Sequence, residues 1–530
     1  IHPELCEGCG DCGHQSNCLS IQPLETELGT KRVIDQHSCN TDLSCVEGFC
    51  PSFITLPATT LDASEDSSEI PAPIFDPLPE PSIVALEKPW CGLVAGIGGT
   101  GVLTVNSLLA MAAHIEDKGF ATMNQTGLAQ KYGSVVSHIK IARDQSDIHA
   151  VRVKDAQANL LLGCDALVAS NPETLRKLSP SCHAIVNTQT TETRDFLYTA
   201  KAMTSAGETA QLIRRIVGEH QIDTIDASAL AIALTGDAIA ANLFLVGLAS
   251  QRGLLPISPT AIERAIEVNG VAVELNQSAF TWGRRFVEQQ DKVLALLPKS
   301  TSTQLTSLDD IVADREARLV CYQSEDYAAL YVRRIRSVEK RLNHLPDKAA
   351  LLCDIARQLY RLMALKDEYE VARILTTDNK PDGMPNLNGA GINFYFAPPL
   401  LSKWWSRHGR PKKIRMGAWA RFPLRVLAVL KFVRGTAMDV FAYTDERRAE
   451  RADLADYLAD IDLIAEMATI ESIDSAQQLA NAPSELKGYG HVRTRSRRTW
   501  LEQRNRCRAE LQLVQPLSVT NVNHRGPNEH

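Results

Sequence analysis

Trp90-Cys91-Gly92-Leu93-Val94-Ala95-Gly96-Ile97-Gly98-Gly99-Thr100-Gly101 is a largely apolar run that closes on four glycines in six residues. It reads as a short buried strand ending in a tight turn. Val102 to Ala113 follows as an apolar helix. Strand, glycine turn and helix in that order open an α/β domain. Further strands are expected near Phe120 to Asn124, over Val135 to Ile141 and at Ala184 to Asn187. Leu160 to Leu162, with Asp165 to Ala169 after a turn, reads as another. Helices near Ile239–Arg252 and Thr260–Val268 complete a doubly wound, Rossmann-like α/β domain over residues 89–298.

Gly96, Gly98 and Gly101, with Gly99 between them, match G-x-G-x-x-G between a strand and a helix. Three readings stay open: a dinucleotide site, an anion held at the helix N-terminus, or a tight turn with little ligand contact. The dinucleotide fingerprint also needs an acid about twenty residues on, for the ribose hydroxyls. Here the second strand ends Ala121-Thr122-Met123-Asn124-Gln125, with no carboxylate at its tip. That counts against NAD.

Seven of the 13 cysteines lie within the first fifty residues, as Cys6-x-x-Cys9-Gly10-x-Cys12, Cys18, Cys39, Cys45 and Cys50-Pro51. Three thiolates at such intervals, on a loop turning at Gly8 and Gly10, fit one face of an iron–sulfur cubane. In the bacterial two-cluster pattern the cysteine before proline ligates the cluster of the other half. Cys50 is therefore expected to complete the cluster of Cys6, Cys9 and Cys12, while Cys18 crosses to join Cys39 and Cys45. A zinc site uses four ligands, usually as two pairs. A disulfide framework needs an even count. Neither accounts for seven.

The chain has 530 residues, 44% hydrophobic and 22% charged, as expected of a soluble protein with three or four domains. No apolar run reaches the roughly 18 residues of a membrane span. Free thiolates and the absence of a signal peptide before Cys6 predict a cytoplasmic protein. The start at Ile1 rather than Met predicts a piece of a longer polypeptide. Residues 1–56 carry eight acids against Lys31 and Arg32, whereas residues 401–438 carry ten Lys/Arg and no acid. That basic stretch, with Trp404, Trp405 and Trp419, is expected to be an amphipathic packing helix with a cationic outer face. An acidic partner surface or a phosphate-bearing ligand is open for it; nucleic acid is not favoured.

Residues 57–88, with Pro57, Pro71, Pro73, Pro77, Pro79 and Pro81, read as an extended linker running over a neighbouring surface. Residues 299–530 are expected to be mainly helical, with segments Ile311–Val320, Ala349–Glu370 and Ala449–Leu479. The remaining cysteines, Cys91, Cys164, Cys182, Cys321, Cys353 and Cys507, read as buried small hydrophobes, and His183 as incidental.

In this order the cysteine pattern, the Gly96–Gly101 loop and Thr126-Gly127-Leu128-Ala129-Gln130-Lys131 resemble the carboxy-terminal half of fused bacterial indolepyruvate ferredoxin oxidoreductases. The glycine-rich domain is similar to the gamma part of pyruvate/ketoisovalerate oxidoreductases. The resemblance implies oxidative decarboxylation of an aryl 2-oxoacid to an acyl-CoA, with electrons passing through 4Fe-4S clusters to ferredoxin. It also implies thiamine diphosphate, magnesium and CoA in the complete enzyme, and a homo-oligomer. This chain shows no thiamine motif: Pro381-Asp382-Gly383 lacks the first glycine of Gly-Asp-Gly. Decarboxylation is thus expected of an upstream region or a partner. The ferredoxin pattern asks for cysteine at position 42, where Asp42 stands. Asp42 ligation, or an open iron corner giving a 3Fe-4S form, is weighed against a solvent-facing Asp42. Two other functions stay in view: a nucleotide-linked ferredoxin reductase and a non-catalytic iron–sulfur binding protein.

Overall fold

The structure is a computed structural model and describes residues 1–36, 39–57, 75–127, 133–189, 206–297, 305–346, 348–377, 391–397, 406–407, 410–411 and 413–513. The first 57 residues fold around their cysteines. Strands β1 (Ile21–Leu24) and β2 (Lys31–Ile34) pair antiparallel, with Ile21 opposite Ile34. Ahead of them the short helix Asp11–Ser16 starts from Gly10 at φ 76° and stops at Asn17 at φ 51°. Gly10 has no Cβ and adopts that left-handed geometry without strain. Strand β3 (Ile54–Thr55) begins four residues after Cys50.

The α/β domain is built on β4 (Trp90–Ile97), whose eight residues are all buried. Trp90 and Val94 point into one core with the helices Val102–Ile115 and Ala241–Gln251, while Leu93, Ala95 and Ile97 face a second core closed by Ile213 and Val217. Continuous apolar sequence is the mark of a strand covered on both sides. The sheet continues through β5 (Gly119–Thr126), β6 (Ser134–Ala142), β7 (Ala158–Gly163), β8 (Leu178–Asn187) and β9 (Ile222–Ile225), in the order β5-β6-β4-β7-β8-β9.

The α/β class is as expected, but one edge of the sheet departs from a parallel dinucleotide fold. Strands β7, β8 and β9 run parallel to β4 in succession, whereas β6 runs antiparallel to β4 and β5 antiparallel to β6. The strand after the glycine loop is thus not beside β4, and its tip does not occupy the ribose position of the fingerprint. Asp165 to Ala169 is also corrected. It is a short helix, Ala166–Ala169, because the Asp165 carboxylate accepts from the Val168 N–H at 2.9 Å and caps it.

Of the 57–88 segment, residues 75–88 lie along this domain. Phe75 meets the edge of Trp282 at 5.2 Å, Gln251 donates to the Pro79 carbonyl at 2.9 Å, and Val84 donates to the Leu255 carbonyl at 3.2 Å. The helices Ala241–Gln251 and Val273–Glu288 cross at Gly247 and Gly283, where a Cβ would lie 2.0 Å and 1.9 Å from facing backbone carbonyl oxygens.

The C-terminal region packs helices Leu308–Tyr322, Glu325–Arg341, Lys348–Met363, Asp445–Met467, Ile473–Asn481 and Gly490–Leu513 around Tyr331, Tyr457 and Trp500. The two long expected helices each break in two, at residues 364–367 and 468–472. One element was not foreseen. Strands β10 (Asn393–Phe396) and β11 (Ile414–Gly417) pair with each other, and β10 also pairs with β3, so the cysteine module shares a sheet with the C-terminal region. No helix among the described residues is long and apolar enough to cross a membrane.

Candidate metal centre

The seven thiols sort into two sets. Cys6 and Cys12 are buried, Cys9 and Cys50 half-buried, and all four are free. Burial pushes the Cys9 thiol up to about 12 and the Cys12 thiol well above its ordinary value, and the charge of Cys50 acts next on both. Burial and then Cys50 raise Cys6 too, opposed by backbone donors. Those donors are the N–H groups of Gly8 at 3.4 Å and Arg32 at 3.3 Å, both aimed at Cys6 Sγ. Cys45 is pushed up to about 11 by burial, then by Cys18 and Cys39. Electrostatically, Cys50 acts on Cys6, Cys9 and Cys12, and Cys18 and Cys39 act on Cys45.

These residues fit iron–sulfur ligation. Crowded buried thiols resist ionising alone; a polycationic iron core offsets four thiolates, and thiolate is the ligand such clusters select. Among the described residues no group of His, Cys, Asp or Glu stands as the ligands of a single ion would. In a cubane each thiolate holds a different iron, so the sulfurs stand farther apart than ligands of one ion.

Asp42 is exposed, and its Oδ1 accepts from Ser44 N–H at 3.0 Å and Ser44 Oγ at 2.8 Å. Ser44 opens the single turn Ser44–Glu47 that carries Cys45, and Leu43, at its N-cap, makes no side-chain cap. After burial, the charges that act most on Cys45 are those of Cys18, Cys39 and the N-terminus.

The acidic module meets its counter-charge within the chain. Glu7, next to Cys6, is paired with Lys366 and lies 3.4 Å from Arg361. Burial alone would raise its carboxyl, but Lys366, Arg361 and Lys31 hold it well below the usual carboxylate range. Glu27 pairs at 2.9 Å with Arg315, which is 1% exposed. Tyr489 Oη donates to the Leu5 carbonyl at 2.6 Å. Lys31, buried beside Cys6, is pulled down to about 7 by burial and then by Lys366. Sequence reasoning did not find Arg315, Arg361, Lys366 or Tyr489; only the acid excess of residues 1–56 signalled cationic partners.

Most of the basic stretch is used otherwise. The side chains of Arg407 and Arg410, and the whole of Lys403, Trp404, Trp405 and Lys412, lie outside what is described. The helix Arg421–Val429 turns Phe422, 77% exposed, and Val429, 70% exposed, to solvent, so the expected cationic outer face is in part apolar. Leu424 and Ala420, on its other side, pack with Val371 and Leu375 and fix that orientation. Cys321 is exposed, against expectation, while the other five non-cluster cysteines are buried. His183 Nε2 meets Asp223 Oδ2 at 2.9 Å.

The glycine loop is pinned from two sides. Asn242 Nδ2 donates to the Thr100 carbonyl at 2.7 Å, and Gly98 N–H donates to the Gly133 carbonyl at 2.7 Å. A Cβ at Gly96 would lie 2.6 Å from Val102 Cγ2, so that glycine serves strand–helix packing. Gly99, at φ 91°, and Gly101, at φ 87°, take the left-handed turn. The helix after them has no side-chain cap. Asn124, the residue that the sequence pattern sets against the fingerprint's acid, lies on the edge strand β5 and accepts from Asn106 Nδ2 at 2.9 Å and Ser137 Oγ at 2.7 Å. Residues 128–132, including Lys131, and Pro381 to Gly383 lie outside the described residues.

Comparison with known proteins adds two family matches. Residues 92–286 match the model "Pyruvate ferredoxin/flavodoxin oxidoreductase", and residues 308–506 match a family of unknown function. The indolepyruvate oxidoreductase subunit IorB of Pyrococcus horikoshii is 25% identical over 196 residues, 36% of this chain and 92% of that protein. Its counterpart from Archaeoglobus fulgidus is 26% identical over 202 residues, again covering 36% and 92%. Among solved structures, the pyruvate oxidoreductase subunit PORC of Thermotoga maritima is 20% identical at a TM-score of 0.28, covering 38% of this chain and 97% of that one.

Proposed function

We propose that this chain, an indolepyruvate-type oxidoreductase with its pyruvate ferredoxin/flavodoxin oxidoreductase domain fused between a cysteine module and a helical region, is the electron-transfer and scaffolding portion of a 2-oxoacid:ferredoxin oxidoreductase. Its substrate is an aryl 2-oxoacid of the indole-3-pyruvate kind, its product an acyl-CoA and its electron acceptor ferredoxin. The observation that carries the reading is the sorting of seven thiols into a set of four and a set of three. Bound iron–sulfur clusters supply one-electron storage at low potential. Cys6, Cys9, Cys12 and Cys50 hold one, and Cys18, Cys39 and Cys45 hold the other, with Asp42 or solvent at its fourth corner.

The rest of the chain orients and insulates. Backbone N–H groups of Gly8 and Arg32 point at Cys6 Sγ and favour its thiolate. The β3–β10 pairing and the ion pairs of Glu7 and Glu27 fix the module against the helical region, as electron transfer over a set distance requires. The uncapped helix start behind Gly101 offers N–H groups to an anionic part of a ligand such as CoA. Thiamine diphosphate and magnesium belong to a region or subunit outside this sequence.

The test uses anaerobically reconstituted protein. With indole-3-pyruvate, thiamine diphosphate, magnesium and CoA, the chain alone forms no acyl-CoA. Reduced with dithionite and desalted, it passes electrons to an added bacterial ferredoxin. Turnover by the chain alone, or failure to reduce the ferredoxin, contradicts the proposal.

A further inference from the structure

Lys413 lies immediately before β11, in the helical region that matches a family of unknown function. Its Nζ is buried and has no hydrogen-bond partner among the described residues. It sits 4.8 Å over the ring of Phe53, three residues after Cys50. The charges that reach it are, in order, Cys50, Cys12, Asp11 and Cys45. Cys50 and Cys12 belong to the set of four, and Cys45 to the set of three. Asp11 does not accept from the ammonium. Its two oxygens accept instead from Phe49 N–H at 2.7 Å and Gln15 Nε2 at 3.1 Å. Phe53, Cys12, Cys45 and Tyr395 of β10 form one buried apolar cluster that walls off this site.

An ammonium buried without an acceptor is costly unless nearby negative charge offsets it. Neutral thiols provide none. Thiolate-ligated clusters do, and each gains a further negative charge when reduced. A fixed cation in a low-dielectric site therefore stabilises the reduced form more than the oxidised one. We infer that Lys413 is a potential-setting charge shared by both cluster sites, delivered between them by the three-stranded sheet that joins the helical region to the cysteine module. The inference rests on the cluster reading of the cysteines. It gives the helical region a role in electron transfer: it sets how readily both clusters accept electrons, as well as holding the module in place. Lys31, by contrast, is acted on by Lys366, Glu7 and Arg361 before Cys6.

The experiment is an anaerobic redox titration followed by electron paramagnetic resonance on the reconstituted full chain, comparing wild type with Lys413→Met, Lys413→Gln and Lys413→Arg. Iron and sulfide analysis comes first. In the neutral variants the reduction equilibrium of both clusters shifts at least about tenfold toward the oxidised form, about 59 mV for a one-electron couple. Lys413→Arg, which keeps the charge, stays close to wild type. Unchanged potentials in Lys413→Met, or movement of one cluster only, overturn the inference. If both neutral variants lose their clusters while wild type keeps them, Lys413 is a structural residue and the inference fails. Wild type without iron and sulfide fails earlier, at the cluster reading itself.

Discussion

Glu7→Gln removes the anion on which the docking of the cysteine module turns. The Glu7 side chain is 11% exposed, pairs with Lys366 through Oε1, and lies 3.4 Å from Arg361 through Oε2. Removing one partner of a buried ion pair costs roughly 3–5 kcal/mol. Here the low end applies. Arg361 still donates to the carbonyls of Pro483, Ser484 and Leu486, and Lys366 to the carbonyl of Cys6 at 3.2 Å. About 3 kcal/mol is roughly a hundredfold in an opening equilibrium, at 1.4 kcal/mol per decade. The readout is native-state amide exchange in β3 and β10, the strands that join the module to the helical region. These amides should exchange about a hundredfold faster in Glu7→Gln, while those of β4 in the α/β sheet are unchanged. The folded carboxyl lies below its unfolded value of roughly 4.3. Its stabilisation is therefore complete above that pH and is lost progressively as pH falls below it and through the lower folded value. Wild type should show acid-dependent opening that Glu7→Gln lacks. Equal exchange in the two proteins, or acceleration spread evenly over both sheets, would refute the reasoning.

Three other outcomes follow from the same geometry. Asp42→Cys should suppress the three-iron signal that mild oxidation produces in wild type, because a fourth thiolate holds the corner better than a carboxylate; an unchanged signal makes Asp42 only a hydrogen-bond acceptor for Ser44. NAD(H) and NADP(H) should give no saturable binding by isothermal titration, since Asn124 is committed to Asn106 and Ser137; micromolar affinity would contradict that. Gly283→Ala, which sets a Cβ against the Phe244 carbonyl, should cost about 1–3 kcal/mol in denaturant unfolding, and an unchanged midpoint would mean the helices can separate without cost.

The α/β class was legible because β4 is apolar along its whole length and the glycines follow at once. The strand order was not. The β5–β6 edge depends on which strand returns beside β4, and periodicity does not report that. The cysteine spacing suggests the proposed thiol sets because metal ligation ties residue type and interval together. The clamp around them was illegible for the opposite reason. Ile54 pairs with Phe394 and Glu7 with Lys366, partners more than 300 residues apart, in strands of two and four residues and a lone buried glutamate. Lys413 stood out only as one of ten basic residues in its stretch. Its burial comes from the fold, and composition carries no trace of it.

The account's central claim is that two clusters are held by crossed thiol sets. It is tested most directly by iron and sulfide analysis with electron paramagnetic resonance on anaerobically reconstituted wild type, Cys50→Ser and Cys18→Ser. Wild type should carry both clusters. Cys50→Ser should lose the one held by Cys6, Cys9 and Cys12 and keep the other, and Cys18→Ser should do the reverse. A wild type with one cluster, or two variants that lose the same signal, would contradict the account.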